Sequence, residues 1–147
     1  MKQILTLILV ATLSNAHSQF SAGMHGGSSN KNVVVGFQMQ YLFQNRFTAG
    51  VNMTTHTDNS NPAYFQSRLG YTIGNYRTGL SVQPYTGYSF GINNMDKNNY
   101  GGHLYFGTQV RYQLTHVAMI YTDINMPSPQ SHLITIGIAG RLPLRYE

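Results

Sequence analysis

The chain predicts an all-β fold, an antiparallel up-and-down transmembrane β-barrel of eight strands, and three observations carry that prediction. Apolar and polar residues alternate with period two along most of the chain, as in Leu104, Phe106, Thr108, Val110, Tyr112 and Leu114 against Tyr105, Gly107, Gln109, Arg111 and Gln113. The alternating segments are long for a globular sheet, where about five or six residues is typical, and match the roughly 9 to 11 tilted residues that cross a bilayer. Charged residues make up only 9% of the chain, against about 25% in an ordinary soluble protein. A soluble β protein coats its wet face and edges with Lys and Glu, and this one has a single glutamate, Glu147.

Residues 1–18 read as an export leader. Lys2 starts it positive, Ile4 to Leu13 form a mainly apolar run too short to span a bilayer, and Ala16-His17-Ser18 supplies cleavage-site residues before Gln19. The remaining residues, 19–147, suit a single barrel domain. Cysteine is absent, so no disulfide staples the fold and no thiolate is available for metal or catalysis.

Period two gives strands at about 19–26, 32–43, 46–56, 63–73, 76–90, 102–114, 116–125 and 131–146. The first is weak, with Gly23, Gly26 and Gly27. The second turns Val33, Val35, Phe37, Met39, Tyr41 and Phe43 to one side; the third, Phe47, Ala49, Val51 and Met53; the fourth, Phe65, Leu69, Tyr71 and Ile73. The fifth offers Tyr76, Leu80, Val82, Tyr88 and Phe90, and the last Ile134, Ile136, Ile138, Leu142, Leu144 and Tyr146. In the seventh, Val117, Met119 and Tyr121 compete with Ala118, Ile120 and Ile124 for the apolar side. Pro84 and Pro143 each imply a bulge or a strand limit, because a closed barrel has no free edge to accommodate a missing N–H.

Connections at Gln44-Asn45, Gly74-Asn75 and Thr115 are tight, whereas those at 27–31, 57–62, 91–101 and 126–130 are longer and rich in Asn, Ser, Gly or Pro. Tight turns at one end and longer loops at the other are the pattern of outer-membrane barrels. Apolar-face aromatics follow it: Tyr41, Phe43, Phe47, Tyr71, Tyr76, Tyr112 and Tyr146 lie beside the tight turns, and Phe65, Tyr88, Phe90 and Tyr121 nearer the loops. Two such girdles place rings with polar tips at the headgroup level of a bilayer.

With these features the mature chain resembles the small outer-membrane β-barrel proteins of Gram-negative bacteria. Its end, Leu142-Pro143-Leu144-Arg145-Tyr146-Glu147, is similar to their aromatic-ended last strand, with the aromatic here penultimate. The resemblance implies an integral outer-membrane protein surrounded by lipid, non-enzymatic, with a structural role, a loop-mediated contact to an envelope protein, or passage of a small solute.

If the apolar side meets lipid, the inward set includes Gln38, Gln40, Thr48, Asn52, Thr54, Gln66, Thr72, Ser81, Gln83 and Tyr105. Arg68, Arg77, Arg111 and Arg141, with Gln109 and His103, form the candidate polar cluster, which faces few acids and is suited to a small anion. Asp58 and Asp96 fall in loops and Asp123 nears a strand end. Eight strands leave a lumen just wide enough for side chains, which favours a hydrogen-bonded plug over a pore.

Other chemistries find little support. The basic residues are scattered singly despite a net charge of +5, which argues against nucleic acid. His25, His56, His103, His116 and His132 make no close ligand pair, and no phosphate-binding glycine motif occurs, so the sequence assigns no metal, cofactor or catalytic residue. Two alternatives stay open. His56-Thr57-Asp58-Asn59-Ser60-Asn61 resembles the His-x-Ser-Asn segment of outer-membrane lipid A deacylases, with the serine displaced by two residues, which implies a lipid-modifying enzyme. A soluble secreted barrel with its apolar side inward, around an apolar ligand, would show the same alternation.

Overall fold

The computed structural model describes residues 19–29, 32–43, 45–57, 63–75, 79–92, 100–128 and 131–143. They form β1 (Gln19–Ser29), β2 (Asn32–Leu42), β3 (Phe47–His56), β4 (Ala63–Tyr71), β5 (Ile73–Gly74), β6 (Gly79–Ile92), β7 (Tyr100–Gln113), β8 (Ala118–Ser128) and β9 (Ser131–Pro143). Each strand pairs antiparallel with its neighbour in sequence, β4 and β5 both pair with β6, and β9 returns to β1, which closes the ring. Because β5 continues β4 in the same register after Thr72, the wall has eight staves.

The interruption has a cause. Between Gly70 opposite Tyr85 and Ile73 opposite Val82, the missing pairs are those of Tyr71 and Thr72 with Pro84 and Gln83. Proline brings no N–H to the ladder, so the gap opens opposite Pro84. Pro143 is the last described residue of β9, paired with Gln19.

Stepping from partner to partner around the wall, Gln19 leads through Leu42, Thr48, Gly70, Tyr85, Gly107, Asn125 and Leu133 back to β1 at Ser29, ten residues along. With a rise of roughly 3.3 Å per residue and strands about 4.8 Å apart, that displacement tilts the strands by about 40°. The lumen this encloses is filled by side chains.

Which face meets which surroundings is settled strand by strand. Leu104 and Phe106 are each 70% exposed on the outer surface, while Tyr105, Gln109 and Arg111 on the same strand are buried. The outer surface also carries Val33, Phe37, Met53, Leu69, Ile136 and Leu142. At the end bearing the 43–46, 75–78 and 114–117 connections, Tyr41 packs edge-on against Phe43 and Phe47 against Tyr71, with centroids 4.8 and 5.2 Å apart. Tyr88 and Phe90 form an equivalent pair nearer the other end. Tyr76 and Tyr146 lie outside the described residues.

Three expectations are corrected. Tyr121, expected on the lipid side, is buried in the lumen with Met119, and Ile120 and Ile124 take the outer side of β8. Asp123, expected near a strand end, lies mid-β8 and is also buried. Two of the four longer connections shrink: Ser29 pairs with Asn32 and Ser128 with Ser131, leaving residues 30–31 and 129–130 between strands. Residues 27–29 of the stretch read as a loop are ladder, and Gly27 is there because a Cβ would strike the backbone of Ile134 and Thr135.

That packing is repeated at four cross-strand pairs. His25 stands opposite Gly36, Tyr85 opposite Gly107, Tyr105 opposite Gly87 and Tyr121 opposite Gly137. In each pair a ring occupies the space where the glycine's Cβ would stand. A narrow lumen admits these rings only over residues without side chains, which is why its wall alternates bulky with bare positions.

The tight turn after β2 is held by Arg46 N–H donating to Phe43 O at 3.1 Å and Phe43 N–H to Phe47 O at 2.9 Å. It places Arg46 at φ 69°, a left-handed conformation. After β7, Thr115 Oγ1 accepts the N–H of Ala118 at 3.1 Å and of Val117 at 3.3 Å.

Candidate functional site

The alternation that greases the outer wall delivers amides, guanidinium groups and phenols to the lumen, where they satisfy one another. Arg68 on β4 donates from Nη1 to Asp123 Oδ2 at 2.7 Å, an ion pair with both side chains buried, and from Nη2 to Gln38 Oε1. Tyr85 donates its hydroxyl to Asp123 Oδ1, Asn125 Nδ2 reaches the same oxygen at 3.2 Å, and Gln109 Nε2 reaches Oδ2 at 3.3 Å. The Arg68 guanidinium also lies 5.2 Å from the centroid of the Tyr85 ring. A buried carboxylate is tolerable only when most of its acceptor sites are filled, and Asp123 meets that condition.

β2 and β7 stand on opposite sides of the ring, and a strut of four side chains joins them. Arg111 donates from Nε to Gln109 Oε1 at 2.6 Å and from Nη2 to Gln40 Oε1, while Gln109 Nε2 donates to Gln38 Oε1 at 3.0 Å. Nearer the loops, Asn52 donates to Gln66 Oε1 at 2.8 Å and Gln66 to Asn125 Oδ1 at 3.3 Å. His25 links β3 and β8, its Nε2 3.0 Å from Thr54 Oγ1 and its Nδ1 3.2 Å from the Tyr121 hydroxyl. Gln83 donates to Thr48 Oγ1. The struts fill the mid-lumen, and each would have to rearrange before a solute could pass.

No protein-family model matches the chain, and no curated protein matches it in sequence. Among solved structures it is similar to the N-terminal β-barrel domain of Pseudomonas aeruginosa OprF, with a TM-score of 0.69 and 12% identity over 84% of this chain and 97% of that one. It is also similar to Ail, the attachment invasion locus protein of Yersinia pestis, solved with the heparin analogue sucrose octasulfate, with a TM-score of 0.54 and 11% identity over 86% and 98%. Neisserial surface protein A matches with a TM-score of 0.50 and 11% identity over 87% and 96%. The chain has the fold of a small transmembrane β-barrel. At such identities the likeness speaks for the fold alone.

The barrel distributes the arginine cluster expected from the sequence along its axis. Arg68 and Gln109 meet at Asp123 in the middle. Arg111 and Arg141 are buried towards the tight-turn end, and half-buried His103 stands at the loop end as the cross-strand neighbour of Ser89. Among the described residues, His103 Nε2 and Ser89 Oγ have no hydrogen-bond partner. Arg77 lies outside the described residues. Asp123, the acid that organises the centre, was not singled out from the sequence, although it shares its side of the strand with Met119 and Tyr121 and an ionised acid belongs away from lipid.

The two alternative chemistries meet specific obstacles. His56, which a lipid-facing catalytic role would place on the outer surface, is buried in the wall, its ring 5.8 Å from that of Tyr64. Ser60 lies outside the described residues. An apolar ligand inside the barrel would have to displace the arginine, glutamine and aspartate struts, since the greasy side faces out. Among the described residues no group of three His, Cys, Asp or Glu is placed to hold a metal ion.

Proposed function

We propose that this chain is an integral outer-membrane protein, exported by the leader in residues 1–18, whose barrel is a sealed, non-enzymatic anchor. In this reading it acts through the surfaces it presents to its surroundings: lipid around the wall, and a partner in the envelope or outside the cell at the longer connections the sequence predicts at 57–62 and 91–101. The observation that carries the reading is the β2–β7 strut behind an apolar wall. A channel needs a continuous wet path, and the strut closes the path at mid-lumen. The resemblance to outer-membrane barrels supports the compartment.

Fractionation and conductance test the reading together. The mature protein should pellet with outer membranes and require detergent for extraction, and purified protein in planar bilayers should give no discrete channel openings. Recovery in the aqueous phase would overturn the membrane reading. Reproducible single-channel steps would overturn the sealed lumen and favour a small-solute role.

A further inference from the structure

At the tight-turn end of the lumen, positive charge and unpartnered oxygens come together. Arg111 donates to two neutral amide oxygens, those of Gln109 and Gln40, and among the described residues it makes no ion pair with a carboxylate. The Asp123 carboxylate is occupied by Arg68, Tyr85, Gln109 and Asn125. Arg141 on β9 is a second buried arginine towards the same end of the lumen. Ser81, also buried, stands directly across the ladder from Arg111.

On the neighbouring strand positions lie Thr72 and Gln83, both wholly buried, with Thr72 Oγ1 and Gln83 Oε1 unpartnered. They are one of the two missing ladder pairs in the gap beside Pro84. A buried hydroxyl without a partner and a guanidinium with only neutral acceptors are each unfavourable in a dry lumen. A single small anion answers both. It would accept from Arg111 and from the Thr72 and Ser81 hydroxyls. The Gln83 amide presents N–H to the same point when turned over, its oxygen then accepting from the Thr48 hydroxyl. Side chains fill most of an eight-stranded lumen, so the anion this arrangement calls for is monatomic rather than a polyatomic solute.

We propose that Arg111, Thr72 and Ser81 form a binding site for a chloride-sized anion at the tight-turn end of the lumen. The site is independent of the anchoring role, which would stand if the site failed.

The test is thermal unfolding of the refolded full chain in a zwitterionic detergent, in potassium chloride, bromide, sulfate or gluconate at equal ionic strength. Chloride and bromide should raise the midpoint by several degrees over gluconate and sulfate, with saturation. Thr72→Val keeps every charge and should move half-saturation to a severalfold higher chloride concentration, and Arg111→Gln should abolish the difference between anions. If Arg111→Gln does not fold, Thr72→Val decides. Equal midpoints in all four salts, an equal rise with sulfate, or an unchanged chloride response in Thr72→Val would overturn the site.

Discussion

The two faces of β7 are separated by one residue step and obey opposite rules. Outside, Leu104, Phe106 and Val110 lie on the surface that in the proposed setting meets lipid, a solvent that asks only for apolar surface and fits around whatever shape it is given. Inside, Tyr105, Gln109 and Arg111 meet named atoms: Tyr105 the bare backbone of Gly87, Gln109 the Gln38 carbonyl, Arg111 the Gln40 carbonyl. The outer face is therefore specified by residue type and the lumen by residue identity. The hydrophobic effect, which orders the core of a soluble protein, would act in the proposed setting on the outer wall instead. What orders the interior is hydrogen bonding in a setting where an unmade bond is expensive.

That contrast can be broken most forcefully at Asp123. Asp123→Ala leaves the Arg68 guanidinium buried without its counter-charge and should destabilise the barrel by about 3–5 kcal/mol, read by equilibrium unfolding in liposomes. The double variant Arg68→Met with Asp123→Leu should recover most of the loss, because it removes both charges together. Failure of the double variant to exceed the single one would show that Asp123 acts through Tyr85 and Asn125 instead. The outer face breaks only when its type is violated: Phe106→Arg, near the middle of β7, should cost about 2–4 kcal/mol in the same assay.

Shape sharpens the contrast further. Gly87→Ala adds one methyl inside, where it would overlap the Ser67 carbonyl and the Tyr105 ring; overpacking of this kind costs about 1–3 kcal/mol. Phe106→Leu removes a whole aromatic ring outside and should stay within about 0.5 kcal/mol of the parent. If the large change outside proved worse than the small change inside, the outer wall would be making specific contacts after all.

The same contrast explains what the sequence could reveal. Period-two alternation separates type from type, so the outer positions of β2, β3, β7 and β9 were legible at once. It fails in β8, where Met119 and Tyr121 are apolar residues set inside by their neighbours: Met119 packs with Ala139, and Tyr121 covers Gly137. Asp123, on their side of the strand, was the available clue. The lumen's residue set was readable, but its pairings were not, since Arg68 and Asp123 are joined across the barrel by a register no local pattern encodes. Glycines misled for a related reason. Gly27 and its neighbours have turn composition, yet a side chain at Gly27 would strike the backbone of β9, so the position needs glycine for space.

The return of the partner-to-partner path to β1, ten residues displaced, also bears on how the molecule is made. Gln19 is among the first residues of the barrel to be synthesised, and its partner Pro143 is among the last. Until β9 is in place, β1 presents an unfinished edge, and so does the strand at the other margin of the growing sheet. Closure is thus a contact between the first and last strands of the barrel, the pairing of greatest sequence separation. A chain cut short by a single strand would be an open ribbon with two adhesive margins, so the interval between first and last strand is when this protein is most exposed to pairing with the wrong chain.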